Sequence, residues 1–419
     1  MSLIDFTCLL ATSEEMPLLV LIIGTLSVAS LLLKQAFERF SLPPIIAYLL
    51  LGMLLAHLNR ELQLFDSEGP GETVLAFLSA LGVIVLLFRV GIESDLHELC
   101  QQLPRAAIIW PPNMLLSGLP AYWATHHLLG YELIPSLFVG VALTATSVGV
   151  SVAVWEETGK IKRKEGSLLI DTAELDDISC VALMALLFSI APVLHKLTAQ
   201  ENGITDEVWQ SLGTEVIGFL IRFGIFAVAM FAFGRYLETP LDHCTRHVGN
   251  KATVLIFVVG LGFIIAAMAG LIGLSLPIGA LFAGLLLSRH RKDYGVEPFY
   301  QSLYLFFTPF FFIHIGFLMD PSLLGTSIGT GGLLLMVAIF GKIIGAGLPA
   351  RLFTGLYGAM LIGASMIPRA EITMIVIQQG RSLGKWAMPA DLYAAMVVVS
   401  AVTCLGTALF LHWALRRWD

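Results

Sequence analysis

Long apolar runs, separated by short polar clusters, repeat along the whole chain. About thirteen read as candidate membrane spans, near 16–36, 43–58, 73–91, 104–128, 132–154, 165–194, 211–234, 250–270, 275–288, 299–319, 330–350, 356–379 and 386–414. A helix needs about 20 mostly apolar residues to cross a bilayer. Pro111 and Pro112 fall inside the fourth run, which predicts a kinked helix there. The pattern implies an all-α polytopic membrane protein.

Composition agrees. Hydrophobic residues make up 57% of the 419 and charged residues 13%, whereas soluble domains sit near about 45–50% apolar and about 25% charged. The first residues are acidic (Asp5, Glu14 and Glu15), with no basic stretch before an apolar core, so no signal peptide is read. No basic stripe suggests nucleic acid. The net charge of −7 is assigned to loops outside the bilayer. The cysteines Cys8, Cys100, Cys180, Cys244 and Cys404 are scattered and read as packing residues. His243, Cys244 and His247 lie close together in an expected loop, without a fourth metal ligand.

Charge also orients the chain. With the N-terminus outside, the inner loops hold sixteen Lys and Arg. The outer loops hold four, Arg60, Lys196, Arg381 and Lys385. Four more lie within spans: Arg89, Arg222, Lys342 and Arg369. This bias follows the positive-inside rule and supports thirteen spans with the C-terminus cytoplasmic, in a cell (inner or plasma) membrane. Thirteen spans divide as six, one and six, which gives two halves of opposite orientation, as in inverted-repeat transporters.

Ionisable groups at mid-membrane are costly and mark function. The sixth span carries Asp171, Glu174, Asp176 and Asp177, and Asp177 lies twelve residues past Glu165, where the span starts. That is roughly 18 Å along a helix, about mid-depth. Adjacent carboxylates point about 100° apart, so one can face an ion and the other a neighbouring helix. Unpaired carboxylates in low dielectric hold protons near neutral pH, and a cation competes for the same oxygens. That competition is the chemistry of an antiporter.

Two further stretches look like broken helices at mid-depth, one in each half: Thr144-Ala145-Thr146-Ser147 and Ile367-Pro368-Arg369-Ala370-Glu371. Pro368 disfavours helix at Ile367 and removes a donor, and hydroxyls satisfy freed backbone groups. Such breaks mark substrate sites in inverted-repeat transporters. Lys342 sits mid-span within Gly341-Lys342-Ile343-Ile344-Gly345, and buried there it seeks a carboxylate, with Asp176 and Asp177 the candidates. Arg369 and Glu371 either pair with each other or cross the site. Arg89, Arg222 and His314 read as structural. Asp171 and Glu174 fall three residues apart in series with Asp177 and read as an acidic access funnel on the cytoplasmic side.

At these residues the sequence resembles the monovalent cation:proton antiporter-2 family. The resemblance rests on Thr144-Ala145-Thr146-Ser147-Val148-Gly149, Leu175-Asp176-Asp177-Ile178, the Phe310-Phe311-Phe312 to Gly316 segment and Ile367-Pro368-Arg369-Ala370-Glu371. It runs along nearly the whole chain and is nearest to bacterial sodium/proton antiporters. It implies thirteen helices with two crossed, partly unwound ones, and a homodimer in the lipid bilayer. It also implies a dimerisation scaffold at 1–92 and 250–320, a linker helix at 211–234, and an ion-binding core at 104–194 and 330–415 that moves as an elevator. In this likeness Asp177 is the main cation and proton carrier. Asp176 is the acidic residue that goes with electrogenic exchange, and Lys342 is its partner. Potassium-transporting relatives often lack the first aspartate, so sodium or lithium is expected. No cofactor, enzymatic activity or C-terminal nucleotide-binding regulatory domain is expected. Glu174 departs from the family pattern. The alternatives are a potassium/proton antiporter and a sodium-coupled symporter of an organic solute.

Overall fold

The computed structural model describes residues 15–40, 42–64, 69–93, 96–198, 206–248, 251–288 and 297–418. Among them the chain is helical, without strands. The helices are α1 Glu15–Arg39, α2 Pro44–Leu62, α3 Pro70–Glu93, α4 Leu96–Trp123, α5 Leu133–Ala142, α6 Val148–Glu157, α7 Lys164–Thr198, α8 Asp206–Val248, α9 Lys251–Leu271, α10 Leu276–Leu287, α11 Glu297–Leu318, α12 Leu324–Lys342, α13 Leu356–Ser365, α14 Glu371–Leu383 and α15 Ala390–Arg416. Each candidate run falls on one helix or on an interrupted pair. Nine of the described helices are long and apolar enough to cross a membrane. Their outer faces are apolar where water would demand polarity, as at Leu21, Val228, Phe231 and Leu271. Helices answer the bilayer because each satisfies its own backbone.

Several elements differ from the sequence expectation. Helix α4 runs through Pro104, Pro111, Pro112 and Pro120 and ends in a π-turn, Ala124–Leu128. The stretch around His243 and His247, expected as a loop, is the last part of α8; those side chains lie outside the described residues, as do Cys8 and Cys100. Helix α12 ends at Lys342 and passes into a second π-turn, Ile343–Gly347. Single π-turns inside helices often sit at functional positions.

The chain forms two compact units. The smaller comprises residues 1–86 and 298–321. Within it α2 and α11 touch backbone to backbone: a Cβ on Gly52 would lie 2.0 Å from the Ile313 carbonyl oxygen, and one on Gly316 2.1 Å from that of Leu49. Small residues allow this approach where lipid gives helices no hydrophobic reason to associate. The larger unit comprises residues 87–297 and 322–419. It contains both interrupted pairs, α5/α6 and α13/α14. Trp155, Leu169, Ile362, Met366 and Leu415 belong to one buried cluster within this unit.

Candidate functional site

The α5/α6 pair is interrupted at Leu143–Ser147, where Thr144 Oγ1 donates to the Val141 carbonyl at 2.7 Å. A helix that stops leaves carbonyls without partners and a partial negative charge. Cations meet both. Lys342 Nζ donates to the Thr144 carbonyl at 2.6 Å, and Arg369 Nη1 donates to the Ala145 carbonyl.

The α13/α14 pair is interrupted at Met366–Ala370. Its loose backbone groups are taken mostly by neutral partners. The Arg369 amide donates to Thr403 Oγ1 at 3.2 Å, and the Arg369 carbonyl accepts from Ser400 Oγ, both on α15. The Pro368 carbonyl accepts from the Ser147 amide at 2.9 Å, so the two interruptions touch directly. Ser147 Oγ donates to Glu371, and Thr373 Oγ1 donates to the Ala142 carbonyl at 2.9 Å.

The acidic pair on α7 faces this junction with two different environments. Asp176 is fully buried and both its oxygens are occupied. Oδ2 accepts from Lys342 Nζ at 2.7 Å and from Thr146 Oγ1 at 2.6 Å, and Oδ1 accepts from Asn113 Nδ2 at 3.0 Å. Asp177 is also buried, yet its Oδ1 has no hydrogen-bond donor among the described residues. It lies within electrostatic reach of three carboxylates, Asp176, Glu371 and Glu174, and of one ammonium, Lys342. Negative charge is therefore in excess around Asp177. Helix α12 brings Lys342 in by lying close on α4: a Cβ on Gly341 would stand 2.7 Å from the Leu116 carbonyl oxygen, and one on Gly345 2.8 Å from the Asn113 Cα.

The structure thus brings Thr144, Thr146, Ser147, Asp176, Lys342, Arg369 and Glu371 together. Of the two carboxylates open to Lys342, it meets Asp176. Arg369 and Glu371 do not pair with each other; each crosses to the opposite interruption. Asp171 is buried and lies about two turns before Asp177 on the same helix, and Glu174 is half-buried and lies about one turn before it. Arg89 pairs with Glu93 at 2.7 Å, and Arg222 lies 3.6 Å from Glu215. Among the described residues no cluster of three or more His, Cys, Asp or Glu is arranged to hold a metal. Asn113 belongs to the site although the sequence alone does not single it out. Its signal was a lone amide within an apolar run, directly after Pro111 and Pro112. Ser400 and Thr403, which hold the Arg369 backbone, are not singled out by the sequence either, because hydroxyls are common in spans.

A family profile described as "Sodium/hydrogen exchanger, transmembrane" matches residues 23–417. The high-affinity Na(+)/H(+) antiporter NhaS3 of Synechocystis sp. is 28% identical over 415 residues, covering 90% of this chain and 85% of that protein. An Na(+)/H(+) antiporter of Enterococcus hirae is 27% identical over 398 residues, with 93% and 96% covered. The Na(+)/H(+)-K(+) antiporter GerN of Bacillus cereus is 29% identical over 349 residues, with 83% and 84% covered. The structure of the sodium proton antiporter MjNhaP1 of Methanocaldococcus jannaschii superposes with a TM-score of 0.70 at 16% identity, covering 96% of this chain and 99% of that one. That last likeness is one of fold.

Proposed function

The chain belongs to the transmembrane sodium/hydrogen exchanger family, and from that premise we propose that it exchanges sodium or lithium for protons, with Asp177 as the carboxylate that holds each in turn. The observation that carries the proposal is the contrast between the neighbouring aspartates. Asp176 is neutralised by Lys342, whereas Asp177 has an unpartnered oxygen among surplus negative charge. A buried excess of negative charge calls for one bound cation or one bound proton. The two exclude each other because they use the same oxygens. Thr146, which donates to Asp176, and Ser147, which donates to Glu371, keep hydroxyl lone pairs as neutral oxygen ligands.

Exchange is electrogenic in this reading. Cation binding at Asp177 draws on Asp176 and loosens its pair with Lys342, so the coupled groups release more than one proton per cation. The protein works as a homodimer with the N-terminus outside and the C-terminus in the cytoplasm. Residues 104–194 and 330–415 move as an elevator against a scaffold at 1–92 and 250–320.

Potassium is the second reading for the cation, favoured by the name of the GerN relative. Flux in proteoliposomes with sodium, lithium or potassium, recording pH and membrane potential, tests both. Sodium- or lithium-driven proton movement that shifts with a clamped potential is the expected result. Potassium-driven exchange alone would replace the first reading with the second. Indifference to potential would remove electrogenicity.

A further inference from the structure

Arg105 on α4, Lys164, Ser167 and Leu168 on the first turns of α7, and Phe353 and Thr354 in the turn before α13 line a cavity of ≈ 60 Å³. The cavity lies outside the constellation around Asp177, and no role in exchange uses it. Two cationic side chains reach it and no acidic residue lines it. Lys164 has only a loose ion pair with Glu165, at 3.8 Å, and is 67% exposed. Arg105 has no ion pair among the described residues. The Thr354 hydroxyl is already committed to the Ala350 carbonyl, at 2.9 Å, which leaves Ser167 as the hydroxyl donor facing the space. Large apolar side chains adjoin these residues in sequence and stand open: Ile108, Leu352 at 73% and Leu356 at 62% exposure.

We propose that this cavity seats the phosphate of an anionic phospholipid. Basic pockets between transmembrane helices take anionic headgroups in this way. A phosphodiester supplies one negative charge and oxygens that accept from a guanidinium, an ammonium and a hydroxyl together. A zwitterionic headgroup brings an ammonium as well, and the lining has no carboxylate to receive it. The exposed apolar side chains near the lining residues in sequence give acyl chains a place to lie, which favours a lipid over free phosphate.

The seat has consequences for the ion site. Arg105 lies eight residues before Asn113 on α4, roughly 12 Å along the helix. Lys164 and Ser167 open α7, which carries Asp176 and Asp177, and Thr354 follows the element that carries Lys342. A bound headgroup ties together three stretches of chain that each lead to the exchange site: α4 to Asn113, α7 to Asp176 and Asp177, and the turn that follows Lys342 and its π-turn.

Native mass spectrometry of the full chain, released from nanodiscs of phosphatidylcholine with a minority of phosphatidylglycerol, tests the seat. Retained phosphatidylglycerol on the wild type is expected, with occupancy about thirtyfold weaker in Arg105→Gln/Lys164→Gln, the effect of two basic charges at an anionic surface. Arg416→Gln/Arg417→Gln removes the same charge elsewhere and is expected to retain the lipid. Equal loss in both double variants would reduce the effect to general surface charge and overturn the proposal. So would no retained phosphatidylglycerol on the wild type. Arg105→Lys/Lys164→Arg, which keeps the charge, guards against misfolding: recovered binding supports the seat, and binding still lost in a folded variant overturns it. Inorganic phosphate is the competing arm. Displacement of the lipid by millimolar phosphate would make the cavity a free-anion site and sink the lipid assignment. The readout is binding, so it stands or falls apart from transport.

Discussion

The two helix interruptions meet the same difficulty by opposite means. At Leu143–Ser147 the loose carbonyls are held by charge from outside the pair: Lys342 on Thr144 and Arg369 on Ala145. At Met366–Ala370 the cation belongs to the interruption itself, and the loose backbone is held by neutral hydroxyls from α15. Charge-assisted hydrogen bonds are roughly twice as strong as neutral ones, but they answer to any other charge that arrives. The first interruption is therefore coupled to the occupancy of the acidic pair through Lys342, which serves Thr144 and Asp176 at once. The second is a fixed frame. In the proposed exchange one side of the junction senses the ion, and the other keeps the geometry.

The largest effect expected from this contrast comes from removing the unsatisfied charge while leaving both interruptions intact. Asp177→Asn keeps the shape of the side chain and takes away the group proposed to hold cation or proton. Cation-dependent proton flux in proteoliposomes should vanish, while the thermal midpoint of the purified protein stays near the wild-type value. Exchange at more than a small fraction of the wild-type rate would return Asp177 to a structural role.

Next in size is the charge clamp. Lys342→Ala leaves Asp176 buried with a full charge and only neutral donors. Breaking a buried ion pair from one side costs about 3–5 kcal/mol. Asp176→Ala should cost a similar amount, because Lys342 would then face the Thr144 carbonyl alone. The double variant should lose much less than the two singles added together, and a denaturation series over the four proteins measures this coupling. Simple additivity would mean that Lys342 and Asp176 act independently, and the difference between the two interruptions would collapse.

The neutral frame should yield less. Ser400→Ala and Thr403→Val each remove one hydroxyl from Arg369, at about 1 kcal/mol for a typical hydrogen bond. Both variants should retain exchange with unchanged dependence on membrane potential. A loss as large as that of Lys342→Ala in either would show that the second interruption is as charge-sensitive as the first.

What could be read in the sequence follows this division. Asp176, Asp177 and Lys342 stand out because a charge in an apolar run has no inexpensive structural explanation. The interruptions were legible through Pro368 and through the clustered hydroxyls at Thr144–Ser147. The neutral frame was not legible: Ser400 and Thr403 look like any small polar residues in a span, and only the fold shows which carbonyl they meet. The pairing of Lys342 with Asp176 and not Asp177 was undecided by the residues alone, since both lie at one depth. It depends on how closely Gly341 and Gly345 let α12 approach α4. The π-turn after Lys342 was hidden for a related reason, because its sequence is as apolar as regular helix. The last third of α8, past Gly234, is not legible as helix because it is polar, and hydropathy registers the bilayer and not the helix.

The smallest expected effect lies at Glu174, which closes neither interruption. It shares the α7 face with Asp171 and Asp177, is half-buried, and lies within electrostatic reach of Asp177. Acidic groups in a low-dielectric path concentrate cations ahead of a site, and salt screens them. Glu174→Gln preserves volume and removes one charge, so the apparent affinity for sodium should weaken by about threefold at low ionic strength, with the difference shrinking as inert salt is added. The maximal rate should be nearly kept, because the exchanging carboxylate is untouched. Equal affinity at low and high ionic strength would leave Glu174 no part in access. Complete loss of exchange would instead make it a direct ligand beside Asp177, and the sensing side of the junction would then extend one turn further along α7 than the hydrogen bonds trace it.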